Sequence, residues 1–271
     1  SNMFWSCKSI SLFYQNKNEV SNFLNFNESN NLMHIFENEK FKKEILKKIK
    51  NKNIKIKNNF INKINYKDTS LLIGKKKYLY DLIILCTGPK SHLYEKLISG
   101  RAIAKNYNEV AITGYVNHNF AMNNPSQYFL QEGPLAFLPF NKKTFSYVWS
   151  LDKKFYLKNK DDLKEILKYK IKTFFKVKSK FNIFKIQSYP IHLILQTQYY
   201  KKNILILGEG IHSVHPLAGQ GFNLVLRDIA KLYQLIYHNI RLCLPLKNSL
   251  VLKQFCEARK PENMIFGMGI D

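Results

Sequence analysis

The chain has 271 residues, 45% of them hydrophobic and 14% aromatic, and 43 Lys and Arg against 19 Asp and Glu give a formal net charge of +24. That length and apolar content exclude a largely disordered chain and allow one or two domains, and no apolar run approaches the roughly 20 residues of a membrane-spanning helix. The charge suggests a polyanion, but only Arg101, Arg227, Arg241 and Arg259 are arginines; with the forks that read phosphate and base edges nearly absent, nucleic acid is set aside as a partner.

Ser1-Asn2 ahead of Met3 reads as a scar of tag cleavage, with no secretory signal after it. Short strands are predicted at Cys7–Tyr14 and Phe23–Phe26, within a first sheet segment over 3–33. Residues 37–50 place Phe41, Ile45, Leu46 and Ile49 at helical spacing among lysines, an amphipathic surface helix. Strands follow in 52–80 with a hairpin turn at Gly74-Lys75-Lys76. Leu82 to Cys86 and Ile204–Leu207 differ from these: both are continuous apolar runs followed by glycine. They predict strands covered on both faces of a parallel sheet. Between them, Glu109–Val116, Tyr128–Phe140 and Phe145–Leu151 read as antiparallel strands, followed by a helix at 160–175 and a strand near 183–191. After Gly221 comes a helix with a broad apolar face built from Phe222, Leu224, Leu226, Ile229, Leu232, Tyr233, Leu235 and Ile236. A last helix spans about 247–268, where Pro261 is expected to kink or restart it. Cys7, Cys86, Cys243 and Cys256 form no C-x-x-C pair, the pattern of free, mostly buried thiols in a reducing cytoplasm.

The chemistry concentrates in 204–228, ILILGEGIHSVHPLAGQGFNLVLRD. A buried strand delivers Glu209 to its carboxyl end, where open α/β sheets bind ligands, and a carboxylate there can accept hydrogen bonds from ligand hydroxyls. The loop Pro216-Leu217-Ala218-Gly219-Gln220-Gly221 then opens the long helix. Its small residues let backbone approach a flat ligand, and its N–H groups share the positive end of the helix dipole. Glu209, His212 and His215 could be read as metal ligands, but Pro216 and the glycines make this a loop, and no metal site is assigned. His212 and His215 read first as packing residues. Asn223 and Asp228 read as early-helix polar groups, with Asp228 facing solvent.

The segment resembles the G-D motif and flavin loop of FAD monooxygenases with the para-hydroxybenzoate hydroxylase fold, and within them the ubiquinone-biosynthesis hydroxylases. Gly208, His212, His215 through Gly221, Asn223 and Asp228 match that pattern. Glu37-Asn38 with Phe41 and Ile45, Asp81–Ser91, Glu132 through Pro139, Val148-Trp149 and Arg259 through Asn263 are similar to other segments in order. The family's opening G-x-G-x-x-G unit is not found near the N-terminus, Thr87 and Glu209 stand where it has aspartates, and Gly210 and Ile211 replace two small residues, Ile211 bringing bulk beside a cofactor.

The resemblance implies an α/β fold: an incomplete Rossmann-like FAD-binding domain in parts, 34–100 and 201–271, with an antiparallel substrate-binding sheet over 3–33 and 101–200. It implies a cofactor site at Thr87, Gly88, Gly208, Glu209, Pro216, Ala218, Gly219, Gln220, Gly221 and Asn223, with FAD as cofactor (the site incomplete in this chain) and NAD(P)H as reductant. No catalytic side chain is assigned, because the flavin carries the redox chemistry. The implied reaction is aromatic-ring hydroxylation of a polyprenylated ubiquinone precursor. The alternative is a non-catalytic, degenerate paralogue that binds or scaffolds within a quinone-biosynthesis complex. Missing sheet neighbours imply a homo-oligomer or a partner chain. The expected location is the cytoplasm, with peripheral association at the inner membrane left open.

Overall fold

The computed structural model describes residues 3–17, 19–50, 52–89, 91–94, 97, 102–215 and 219–269. In chain order the elements are β1 (Phe4–Cys7), β2 (Ser9–Asn16), β3 (Glu19–Asn27), β4 (Met33–Phe36), α1 (Asn38–Lys50), β5 (Lys63–Asn65), β6 (Ser70–Ile73), β7 (Lys76–Leu79) and β8 (Ile83–Leu85). There follow β9 (Ile103–Asn117), β10 (Ser126–Leu130), β11 (Gly133–Asn141), β12 (Thr144–Asp152), α2 (Lys153–Asn159), α3 (Leu163–Phe174) and β13 (Asn182–Leu195). The chain closes with β14 (Tyr200–Lys201), β15 (Ile204–Ile206), β16 (His212–Ser213), α4 (Gln220–Arg241) and α5 (Val251–Gly269). They form two units, 1–55 with 108–190 and 56–107 with 191–271. The sequence reading set its boundaries at 33/34, 100/101 and 200/201 instead.

The first unit is an antiparallel sheet in the order β13-β9-β12-β11-β10-β2-β3, with one parallel pairing, β10 to β2. Alternation along β12 sends Phe145, Tyr147, Trp149 and Leu151 inward, all with no exposed surface, the period of two that a half-covered sheet requires. Leu163, Leu167 and Ile171 recur at four-residue steps and lay one face of α3 into the same core. Asp152 begins α2 by accepting hydrogen bonds from the Lys154 and Phe155 N–H groups at 2.8 and 3.2 Å. Helix α1 buries none of its residues, so the predicted amphipathic helix is present with its apolar stripe only half covered.

The second unit contains the two apolar runs. β15 and β8 pair in parallel and β14 pairs β15 antiparallel, giving the order β14-β15-β8. Ile204, Leu205 and Ile206 have no exposed surface, as a strand covered on both faces should. β8 departs from the expectation. Ile83 and Leu85 are buried, but Ile84 is 40% exposed, and no strand among the described residues pairs with the other edge of β8.

Helix α4 departs in the same way. Leu224, Asp228, Leu232 and Asn239 are its buried residues, while Phe222, Leu226, Ile229, Tyr233, Tyr237 and Ile240 are exposed. The broad apolar face of the sequence reading is thus two stripes, and only one is covered. α5 continues as one helix through Pro261 rather than breaking there. Arg259 and Asn263, on either side of that proline, are both anchored to α4, at Asp228. The four cysteines are free, but Cys86 and Cys243 are exposed, Cys256 is half-buried and Cys7 alone is buried, so "mostly buried" does not hold.

Candidate functional site

Two adjacent strand ends define the site. In the parallel ladder Leu85 faces Ile206, and the Leu207 N–H donates to the Leu85 carbonyl at 3.0 Å. The chain leaves β8 through Cys86, Thr87 and Gly88, and leaves β15 through Leu207, Gly208 and Glu209. Thr87-Gly88 and Gly208-Glu209 therefore emerge side by side at the carboxyl ends of neighbouring parallel strands, the place where open α/β sheets take ligands. Glu209 is exposed there, on a 3-10 turn over Gly208–Gly210. The Thr87 N–H is already used, donating to the Tyr94 hydroxyl at 3.1 Å, which leaves its exposed side chain to face outward.

The third segment is the start of α4. Gly219 caps the helix in the left-handed region, φ +64°, without a side-chain cap hydrogen bond. The cap residue therefore offers no side chain to the N–H groups of the first turn. A Cβ placed on Gly219 or on Gly88 (φ +79°) would meet nothing within 4 Å, so both glycines border open space in a backbone shape that other residues adopt at a cost. Gly208 and the helix approach each other closely, with 3.9 Å from a Gly208 Cβ position to Val225 Cγ1. The structure thus sets Thr87-Gly88 beside Gly208-Glu209 and brings Gly208 into contact range of α4 at Val225, the helix that Gln220 and Gly221 begin. Asn223 is exposed one turn along, its amide 3.4 Å from Gln220 Oε1. Pro216 and Ala218 lie outside the described residues.

Gly210 and Ile211, the second of which the sequence reading set beside a cofactor, are explained by packing. A Cβ on Gly210 would fall 2.6 Å from both Ile206 Cγ2 and the Tyr94 hydroxyl. Ile211 has no exposed surface and lies in the core of the second unit with Leu205 and Leu232. It brings no bulk to the open side.

Behind this rim lies a buried polar cluster. Asp228 has no exposed surface and accepts from His212 Nε2 at 2.7 Å, Arg259 Nε at 2.7 Å and Asn263 Nδ2 at 3.2 Å. Arg259 also donates to Asn263 Oδ1 at 3.0 Å, and Asn263 reaches the Tyr199 hydroxyl at 3.4 Å. Burial and the nearby Asp228 charge push the Tyr199 phenol up to about 12, against the Asn263 hydrogen bond. Asp228 is thus buried and paired, not facing solvent. His212 is a buried structural residue turned to a carboxylate. No group of three or more metal-ligating side chains occurs among the described residues. The sequence reading matched Arg259 through Asn263 to a family segment without assigning them a role, and missed Tyr199 and Tyr94. A signal for Arg259 was present, since it is one of four arginines in a chain whose other 39 basic residues are lysines, and a burial site favours the guanidinium.

A hollow of about 560 Å³ lies elsewhere, between turns of the first unit at Asn117–Asn119, Lys143-Thr144 and Lys180–Asn182. None of the residues of the rim lines it.

The family described as FAD binding domain matches residues 82–241, more than half of the chain and all three rim segments. Similar relatives include the mitochondrial ubiquinone biosynthesis monooxygenase COQ6 of Dictyostelium discoideum, 24% identical across 74% of this chain and 50% of that protein. Another is the 3-demethoxyubiquinol 3-hydroxylase of Escherichia coli, 30% identical across 31% of this chain and 22% of that one. The chain spans half the length of the first relative and less of the second. Among solved structures, PqsL, a probable FAD-dependent monooxygenase from Pseudomonas aeruginosa, shares the fold with a TM-score of 0.73 at 17% identity, over 98% of this chain and 78% of that one. The chain belongs to the FAD binding domain family, and the relatives it resembles in sequence include ubiquinone biosynthesis hydroxylases.

Proposed function

We propose that this chain is the FAD-holding part of a monooxygenase that hydroxylates the aromatic ring of a polyprenylated ubiquinone precursor. One observation carries the reading. Two neighbouring parallel strands end at Thr87-Gly88 and Gly208-Glu209, Gly208 touches α4, and that helix begins at a glycine cap with no side-chain hydrogen bond, which supports reading the three segments as one open rim. The rim fits a flat, hydroxyl-bearing ligand with an electron-rich edge. Glu209 would accept hydrogen bonds from the ribityl hydroxyls, and the N–H groups of Gly219 to Gly221 would face the isoalloxazine edge. Bound there, FAD reduced by NAD(P)H supplies the activation of O2 for oxygen transfer to an electron-rich ring. The protein's own part is to orient that ring system, shield it from water and place fixed dipoles where negative charge gathers.

The experiment is a titration of the purified protein with FAD, followed by quenching of flavin fluorescence. Saturable quenching that Glu209→Ala weakens is expected; binding unaffected by that change removes Glu209 from the site.

A second reading, a non-catalytic binding or scaffold component, is favoured by the half-built surroundings: the edge of β8 unpaired among the described residues, the exposed Ile84 and the exposed stripe of α4. An apolar helix stripe is normally covered, and an open strand edge invites pairing. We infer that further polypeptide, a second copy or a partner chain, covers them. Complete lack of flavin binding, even with that cover supplied, decides for the scaffold. No helix among the described residues is long and apolar enough to cross a membrane. Peripheral attachment through the lysine-rich surface is tested by flotation with anionic vesicles.

A further inference from the structure

A single buried carboxylate joins two segments of the rim. His212 lies one residue past the Gly208–Gly210 turn, after Ile211, and Asp228 lies two turns inside α4, beyond its Gly219 cap. Their side chains meet at 2.7 Å, both essentially without exposed surface. From the other side α5 holds the same carboxylate twice, through Arg259 Nε and Asn263 Nδ2. Asn263 then reaches Tyr199, on the chain just before β14, which pairs with β15. One group therefore fixes the strand-end turn, the helix start and the strand's neighbour with respect to each other. A core needs no charge to pack well, and a buried ion pair is by itself weak grounds for stability. What such a group provides is one defined geometry, because each donor must stay where the carboxylate can accept it.

We propose that Asp228 is a positioning residue of the flavin rim: through His212 on one side and Arg259 with Asn263 on the other, it sets the separation between the Gly208–Glu209 turn and the N–H groups of Gly219 to Gly221. The inference rests on the flavin reading of the rim and adds to it a residue that touches no ligand. Its ligand effect is a matter of geometry, since donors displaced by a fraction of an ångström lose hydrogen-bond strength steeply.

The test separates position from mere stability by two variants. Asp228→Asn takes from the buried Arg259 guanidinium its fully buried counter-ion and leaves it only Asn263 and the half-exposed Glu262, so a lower urea midpoint is expected whatever the role. Asp228→Asn with Arg259→Met removes both charges, and the midpoint recovers because an uncharged, filled site is tolerated. In that double variant FAD affinity, read from flavin fluorescence, stays weaker by roughly tenfold or more, the scale of losing an orienting partner. Hydrogen exchange, measured without any flavin, rises over 208–215 and 219–223 while β9 to β12 keep their protection. Recovery of FAD affinity together with the midpoint overturns the proposal, and so does unchanged exchange at the rim. If neither the parent protein nor the variant binds FAD while rim exchange still rises, the positioning geometry stands and the flavin reading is the one that fails.

Discussion

Leu85 and Ile206 stand opposite each other in a parallel ladder, which makes Cys86 and Leu207 the last residues before the two halves of the rim. Cys86 is exposed by area, yet its surroundings desolvate the thiol and raise its pKa. A thiol in that position reports on whatever fills the rim, because only the thiolate reacts. Iodoacetamide at mildly alkaline pH is expected to label the exposed Cys243 and, more slowly, Cys86. Cys256, with its thiol pushed up to about 12, and the buried Cys7, up to about 11, resist. Saturating FAD should slow labelling at Cys86 and leave Cys243 unchanged. Equal rates at Cys86 with and without FAD, read by peptide mass spectrometry, would place the ligand away from this strand end.

Glycines of the rim divide into two kinds that one substitution distinguishes. Gly210→Ala drives a methyl to 2.6 Å from Ile206 and Tyr94. Both neighbours sit in the core of the second unit, so a loss of about 1–3 kcal/mol, the scale of overpacking, is expected in urea unfolding. Gly219→Ala meets nothing within 4 Å and should cost only about 1 kcal/mol for its left-handed backbone. Its larger effect is on FAD affinity, since the new methyl enters the space reserved for the ligand. A Gly219→Ala protein that binds FAD as before would show that space to be unused.

Much of this was legible along the chain, and what was not has physical causes. The run Ile204–Leu207 declared a strand buried on both faces because no polar residue interrupts it, and β15 is that strand. The same rule misread Leu82 to Cys86, since composition shows that a residue can be covered but not whether a neighbour is there to cover it; Ile84 has none on its outer side among the described residues. The apolar abundance of α4 hid two stripes for the same reason. Asp228 was misjudged because its partners lie 16, 31 and 35 residues away. Such pairing leaves no local periodicity to read. The glycines at 88, 208 and 219 were legible, as each marks a positive-φ turn.

His118 gives the first unit a pH dependence. Its ring is buried, with Nδ1 2.9 Å from the Phe120 carbonyl, and packs against Phe120 and Phe145. Desolvation lowers its pKa below the ordinary 6.5, against the smaller opposite effect of the Phe120 hydrogen bond. Below that value the unfolded chain takes up a proton that the folded one does not, so folding stability falls as pH drops from 6.5 toward the depressed folded pKa. The urea midpoint of the parent protein should therefore fall more steeply than that of His118→Gln between about pH 7 and pH 5. Parallel profiles would mean that His118 carries no such linkage.

The outer stripe of α4 offers the sharpest contrast between what the helix contributes by itself and what it awaits. Phe222, Leu226, Ile229, Tyr233, Tyr237 and Ile240 advance in steps of three and four along one side, with Tyr233 and Tyr237 stacked at 5.8 Å between ring centroids. Leu232 lies on the other side, 4% exposed, in the core with Leu205 and Phe255. Leu232→Ala should cost about 2–5 kcal/mol in urea unfolding. Leu226→Ser with Ile229→Ser should cost much less, about 0.5 kcal/mol each, because nearly half of each residue's surface is already in water. The outer pair should instead alter association. Sedimentation velocity of the parent protein is expected to show self-association or, with a binding chain supplied, a complex, and the serine variant is expected to lose either one. A parent protein that sediments as a clean monomer at all concentrations, and binds no added chain, would leave the stripe as plain solvent-facing surface and remove the case for a covering polypeptide.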